Sequence, residues 1–374
     1  MKTNIFTPTF GNKPFRIIGR DDILQEFDEA ISAPVGHPGR SMMLIGQRGT
    51  GKTALLLEFA ERAQKKNYIT AKVTANAQLL SDILQVIQSQ GAKFVKGKKS
   101  ISEVNTEVNI KGIGFSLGLT FNEETEKNYG FRIKLSLLLD KLSKYNKGVL
   151  LLVDEVQSSS DSIRELATTY QHLIGEEKNI AIVMAGLPSA LSSVLNDKIL
   201  TFLNRAKQIK MNPIPISEVR QFYQESFENN KQEISDKALE KAAKATQGFP
   251  YLLQLIGYQI ERNCAGLKVI SDQCVQSAIK EAKAALADSV FKPCLNPLSN
   301  QDIAFLQAMA KDKTYSCVDD IATRLKVNQG YVQMYRKRLL DAGVIAAPRR
   351  GIMTIIIPYL NEYLLQENFD LATF

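Results

Sequence analysis

Gly46-Gln47-Arg48-Gly49-Thr50-Gly51-Lys52-Thr53 is the stretch on which the reading of this chain turns. The octet matches G-x-x-x-x-G-K-[ST], follows the apolar run 42–45 and precedes an Ala/Leu/Glu-rich stretch, so a strand should pass through a loop into a helix. Its three glycines let the backbone curl until successive N–H groups face phosphate oxygens, and the helix start adds its positive end. Lys52 is placed to reach the β and γ phosphates of ATP, and Thr53 to ligate Mg²⁺ through its hydroxyl. All eight residues are therefore candidates for nucleotide binding.

Around this loop, short aliphatic runs alternate with longer amphipathic stretches, as a parallel sheet with crossover helices requires. Strands are expected at 42–45, 68–73, 149–153 and 180–185, and helices at 52–66, 79–88, 129–145 and 160–174. The fold class is α/β, a P-loop NTPase with a three-layer parallel sheet over 1–212. Between 91 and 126 a lysine-rich turn and an alternating stretch around Lys111-Gly112-Ile113-Gly114 predict an inserted hairpin or loop. Leu150-Leu151-Leu152-Val153-Asp154-Glu155 looks like a Walker B strand. Asp154 would hold the magnesium shell, and Glu155 is placed to act as general base on the attacking water.

At 374 residues and 44% hydrophobic content, the chain can bury a sizeable core and should form two or three domains. No stretch nears the roughly 18 to 20 consecutive apolar residues of a membrane span, and residues 1–10 lack the basic start and apolar run of a secretory signal. The expectation is a cytoplasmic protein with no membrane partner. Cys264, Cys274, Cys294 and Cys317 lack Cys-x-x-Cys spacing, and His37 and His172 are isolated, so all six read as ordinary structural or surface residues.

After Pro213 helices take over. Ser217, Ser235 and Ser271 each precede a helical run with acids in the first turn, which predicts three serine N-caps in a helical lid over 213–290. A Pro-containing connection, residues 291–297, should separate this lid from a final module over 298–374. There, helices are expected at 301–310, 318–325 and 328–342, the last with Val332, Tyr335 and Leu339 as its buried stripe. Two short strands follow, at 344–346 and 353–357, around the turn Arg349-Arg350-Gly351. The pattern looks like a winged helix-turn-helix, with Gln329, Gln333, Arg336 and Lys337 facing a DNA groove and Arg349 and Arg350 at the wing tip meeting phosphates. Winged helices also dock proteins, so a protein partner stays open. The charge favours double-stranded DNA: the formal net charge is +8, and Arg324, Lys326, Arg336, Lys337, Arg338, Arg349 and Arg350 face only Asp341 between 321 and 351.

Several further segments, in order, resemble the origin-recognition-type AAA+ ATPases and their bacterial relatives. Phe15-Arg16-Ile17-Ile18-Gly19-Arg20-Asp21 resembles the box that lines the adenine pocket, which implies a nucleotide-binding role for Gly19 and Arg20. Val183-Met184-Ala185-Gly186-Leu187-Pro188 resembles the sensor-1 strand and loop. Asn204-Arg205-Ala206 falls where such proteins often keep an arginine that completes a neighbour's site, which implies a catalytic role for Arg205 in trans and ATP-dependent self-association. Gly248-Phe249-Pro250 resembles the Gly-x-Pro turn of the lid and places Pro250 at the nucleotide. The usual polar sensor-1 residue is replaced by Gly186, with Ser189 the nearest hydroxyl, and Tyr251 stands where an arginine is common. Both departures imply a slow switch rather than a fast motor.

These readings lead to an ATP-binding, slowly hydrolysing DNA-binding switch (ATP + H₂O to ADP + phosphate) that serves replication or mobility of a genetic element. The alternative is a STAND-like signalling or defence ATPase whose winged helix docks a protein; the missing lid arginine favours it, and the lack of a repeat array opposes it.

Overall fold

The computed structural model describes residues 5–9, 11–95, 129–157 and 160–366. The chain divides into two compact units, one of Arg20–Ile45 with Lys52–Lys210, the other of Met1–Gly19, Gly46–Gly51 and Met211–Phe374. Among the described residues no helix is long and apolar enough to cross a membrane.

The first unit is built on five parallel strands, β1 (Ser41–Ile45), β2 (Tyr68–Thr74), β3 (Gly148–Val156), β4 (Ile180–Gly186) and β5 (Lys207–Lys210), in the order β2-β3-β4-β1-β5. β3 and β4 read as unbroken aliphatic runs because parallel strands are buried on both faces. Their side chains nonetheless sort by period two. Val149, Leu151 and Val153 of β3 and Ile180, Ile182 and Met184 of β4 share one cluster with Leu79, Ile83, Leu135, Leu138, Ile163 and Leu166 from helices Leu79–Val95, Phe131–Ser143 and Asp161–Gly175. The alternate residues Leu150, Leu152, Ala181 and Val183 are equally buried but lie outside that cluster, and helix Lys52–Lys65 packs across β2, β3 and β4. Helix Asp21–Ser32 packs on that helix, with Phe27 and Phe59 stacked 4.0 Å apart. The result is a sheet between two helical layers.

Ser160, expected as the first residue of its helix, is instead its cap, accepting from the Ile163 N–H at 3.3 Å. Helix Leu79–Val95 runs seven residues past its expected end at 88 and absorbs 91–95. The rest of the expected insertion, up to 126, lies outside the described residues. β5 escapes sequence reading because three of its four residues, Lys207, Gln208 and Lys210, are exposed at the sheet edge, leaving Ile209 as its one buried side chain.

In the second unit four helices, Ile216–Asn229, Asp236–Ala245, Pro250–Asn263 and Asp272–Leu286, are joined by a two-residue parallel pair, β6 (Glu233–Ile234) and β7 (Val269–Ile270). Ser235 and Ser271 cap their helices, accepting from Ala238 and Cys274 N–H groups. Ser217 does not: the helix begins one residue earlier, after Pro215, and carries no side-chain cap. Phe6 is fully buried here against Phe222, Tyr223 and Phe227.

Two expectations are corrected. Cys264 and Cys274 form a disulfide that joins the end of Pro250–Asn263 to Asp272–Leu286, so they are not unpaired; the chain reversal around Val269–Ile270 brings together two residues that no motif spacing links. The connection at 291–297 is largely helical: a π-type turn, Ala287–Phe291, leads directly into helix Lys292–Leu295, so Pro293 stands inside a continuous helical run to which it contributes no N–H.

Helix Asn300–Ala310 then opens with a capping box between Ser299 and Asp302. β8 (Ser316–Cys317), helices Val318–Leu325 and Gln329–Asp341, β9 (Ile345–Arg349) and β10 (Ile352–Ile355) follow, and the strands form an antiparallel sheet ordered β8-β10-β9. Asn328 caps the third helix through the Tyr331 N–H at 2.8 Å, and Val332, Tyr335 and Leu339 are its buried stripe. Arg349 ends β9, so Arg350 and Gly351 alone make the turn, Gly351 at φ +77°.

Candidate nucleotide site and C-terminal basic face

The glycine loop follows β1 directly, and its sequence is tied to its backbone. Gly49 and Gly51 stand at φ +78° and +86°, where L side chains are strained. At Gly46 an added Cβ would lie 2.6 Å from both Met211 Cβ and Thr50 Oγ1, so only glycine fits. Thr50 is buried and donates its hydroxyl to the Gln47 carbonyl at 2.7 Å, closing the turn. Lys52 is the first residue of the helix that follows. Arg48 is exposed; burial pushes the nearby Cys294 thiol up, and the Arg48 charge opposes the shift. Pro250, the first residue of its helix, lies against the loop, 3.5 Å from where a Gly51 Cβ would be, and the Tyr251 N–H faces the Gly49 carbonyl at 3.4 Å.

Thr53 and Asp154 meet. The threonine hydroxyl donates to Asp154 Oδ2 at 2.7 Å, and Asp154 Oδ1 accepts the Glu155 N–H at 2.9 Å. Asp154 is buried, 6% exposed, while Glu155 is exposed. Glu155 also has φ +55°, a left-handed conformation that costs a non-glycine residue of the order of 1 kcal/mol and is characteristic of functional sites. No sequence signal marks this strain.

Gly19 takes φ +65° with the place of its Cβ filled by Ile214, and Arg20 is buried at the start of helix Asp21–Ser32. Arg205 ends a 3₁₀ turn, Thr201–Arg205, two residues before β5, and β5 pairs in parallel with β1 from Met42↔Lys207 to Ile45↔Lys210, which sets Arg205 beside the start of β1.

In the C-terminal module Gln329, Gln333 and Lys337 fall at helical i, i+4 spacing and are all exposed, as are Arg349 and Arg350 at the hairpin end. Gln329 is held by donating to Asp319 Oδ1 at 2.8 Å, and half-buried Arg336 donates to Gln333 Oε1 at 3.3 Å. Met334, 50% exposed on the same helix, is an apolar contributor that charge and polarity patterns do not flag. The basic excess is smaller than the sequence window suggests. Arg324 pairs twice with Asp312 and Arg338 pairs with the fully buried Asp302, both acids lying outside the window counted. The Arg324 hydrogen bond holds the Asp312 carboxyl below its usual range. Lys326, Lys337, Arg349 and Arg350 make no ion pair among the described residues.

A family described as an ATPase domain predominantly from Archaea matches residues 33–256, and a domain of unknown function matches 288–364. No curated protein matches in sequence. Among solved structures, the ORC2 protein of Aeropyrum pernix, described with ADPNP and ADP, is 17% identical over 96% of this chain and 94% of its own, with a TM-score of 0.64. A Walker-type ATPase of Pyrococcus abyssi is 16% identical over 93% and 96%, with a TM-score of 0.65. Cdc6p of Pyrobaculum aerophilum is 16% identical over 93% and 92%, with a TM-score of 0.52. At such identities the likeness is one of fold, and with the family match over more than half of its length the chain belongs to the ATPase domain family found predominantly in Archaea.

Proposed function

We propose that this protein is an ATP-dependent switch that binds ATP with Mg²⁺ at residues 46–53, hydrolyses it slowly, and grips double-stranded DNA through a C-terminal winged helix. The observation that carries the nucleotide half is the 2.7 Å hydrogen bond between Thr53 and Asp154. It joins a hydroxyl and a buried carboxylate, the hard oxygen donors that Mg²⁺ takes from a protein when phosphates and water complete its shell. When bound, the metal neutralises charge on the β and γ phosphate oxygens.

The chain's own groups do the rest. Backbone N–H groups of the loop cradle the phosphates, and Lys52 balances charge on the β and γ groups. Glu155 takes a proton from the attacking water as the water oxygen bonds to the γ phosphorus. The bond from that phosphorus to the bridging oxygen breaks, and ADP leaves with the electron pair. Gly186 provides no polar group and Tyr251 no cation, which supports slow turnover. Arg205, beside the start of β1, is assigned to a neighbouring copy's site in an ATP-dependent assembly.

For DNA, the order helix, strand, helix, helix, strand, strand with a basic hairpin end supports a winged helix. Gln329, Gln333, Arg336 and Lys337 read the groove, and Arg349 and Arg350 meet phosphates. Replication or mobility of a genetic element is the role that fits an origin-recognition fold. Calorimetric titration with ATP, with and without Mg²⁺, alongside DNA binding measured against salt, tests both halves. ATP binding indifferent to Mg²⁺, or DNA affinity that does not fall with salt, would sink the corresponding half.

A further inference from the structure

The end of β3 contains one residue too many for its neighbour. β3 pairs with β4 in regular register up to Val153↔Met184, and the next pair is Val156↔Gly186, so three steps along β3 match two along β4. This is a β-bulge, and the period-two pattern shows what it achieves. Val149, Leu151 and Val153 face the apolar cluster, so Glu155 would be next to enter it. Instead Glu155 turns to φ +55° and is exposed, while Val156 takes the place in the cluster and is 1% exposed.

The bulge needs room on β4, and Gly186 provides it. A Cβ at this position would lie 2.6 Å from the Val156 carbonyl oxygen and 3.2 Å from Leu191 Cγ. The first contact is with backbone and cannot be relieved by a rotamer change. Asp154 is anchored separately from the other side: it pairs with Thr74 of β2, and its carbonyl accepts the Ala75 N–H at 2.9 Å.

We propose that Gly186 is a positioning residue for hydrolysis: its missing side chain admits the Val156 carbonyl and so sets the bulge that presents Glu155 to water. The inference rests on Glu155 being the base. A side chain at 186 pushes the bulge back toward regular pairing and displaces Glu155, while the Thr53–Asp154 contact and ATP binding persist. Displacement of a reacting group by about 1 Å costs of the order of 10²-fold in rate.

The sign of the effect separates this idea from the obvious alternative. If position 186 were simply a vacant sensor, Gly186→Asn would restore a polar contact and speed turnover. Under the positioning role, Gly186→Ala and Gly186→Asn both lower kcat about 10²-fold with the affinity for ATP unchanged. Leu191→Ala added to Gly186→Ala removes the side-chain collision and leaves the carbonyl one, so turnover stays low. Steady-state phosphate release and ATP titration on the full chain, with Glu155→Gln in parallel, read all of this. Faster turnover in Gly186→Asn, unchanged kcat in Gly186→Ala, restoration by Leu191→Ala, or loss of ATP binding in step with kcat overturns the proposal. If Glu155→Gln itself turns over normally, the assignment of the base has failed instead.

Discussion

The tip of β3 and the basic face of the C-terminal module both carry exposed charge, but they hold it in different ways. At β3 the backbone does the work: a left-handed Glu155, a bulge, and a glycine at 186 whose added Cβ would meet the Val156 carbonyl. In the C-terminal module the cations stand on a regular helix and a hairpin, and what varies is how many are already spent on internal acids. Function at the first site should therefore fail steeply when one residue changes. At the second it should decline in steps, one charge at a time.

The steepest expected effect is at Lys52. Lys52→Ala abolishes ATP binding, as calorimetry will show; unaltered affinity would break the contrast at its root. Glu155→Gln comes next, keeping ATP bound while hydrolysis falls by about 10²- to 10⁴-fold, the usual share of a general base. The graded site follows. Arg349→Ala with Arg350→Ala weakens DNA binding at all sequences alike and lowers the slope of log affinity against log salt by about 0.9 for each phosphate that is no longer neutralised. Arg338→Met leaves that slope where it was, because its guanidinium is bound to Asp302, and instead destabilises the module by about 2 kcal/mol in denaturant titration, the cost of taking the counter-charge from a buried carboxylate that keeps only its Ser299 hydrogen bonds. A change in salt slope for Arg338→Met would show that the internal pair does not withhold the charge. The smallest effect is on stability: Glu155→Gly, with hydrolysis lowered as in Glu155→Gln, should stabilise the sheet unit by about 1 kcal/mol through relief of the left-handed strain.

The same contrast explains what was legible in the sequence. The octet 46–53 and the run 150–155 could be read because their letters are dictated by backbone geometry and by burial on both sheet faces, and each strand expected in the sheet unit is present within a few residues. β5 carries too little apolar sequence to be seen, since an edge strand needs only Ile209 inside. The bulge at Glu155 has no composition of its own; it appears only when β3 is laid beside β4. Gly186 reads as a missing polar group until the Val156 carbonyl is found in the place of its Cβ. Net charge counted along the chain over-valued the C-terminal face because Asp302 and Asp312 reach it from 36 and 12 residues away. The Cys264–Cys274 bond was hidden for a related reason, as its partners are joined by a reversal rather than by a motif.

Phe6 also bears on the order in which the molecule can be completed. Its ring fills the notch left by Gly257, where an added Cβ would lie 2.3 Å from it, and the neighbouring Thr7 N–H donates to Gln254 Oε1 across 247 residues. During synthesis at about 5 to 20 residues per second, this segment waits about 12 to 50 s for its binding site to emerge. The sheet strands and the glycine loop are all made in the meantime. The helical unit is thus closed by a segment made well before the helix that receives it, and a ribosome stalled before Gly257 would carry a finished glycine loop and a Phe6 ring with nowhere to go.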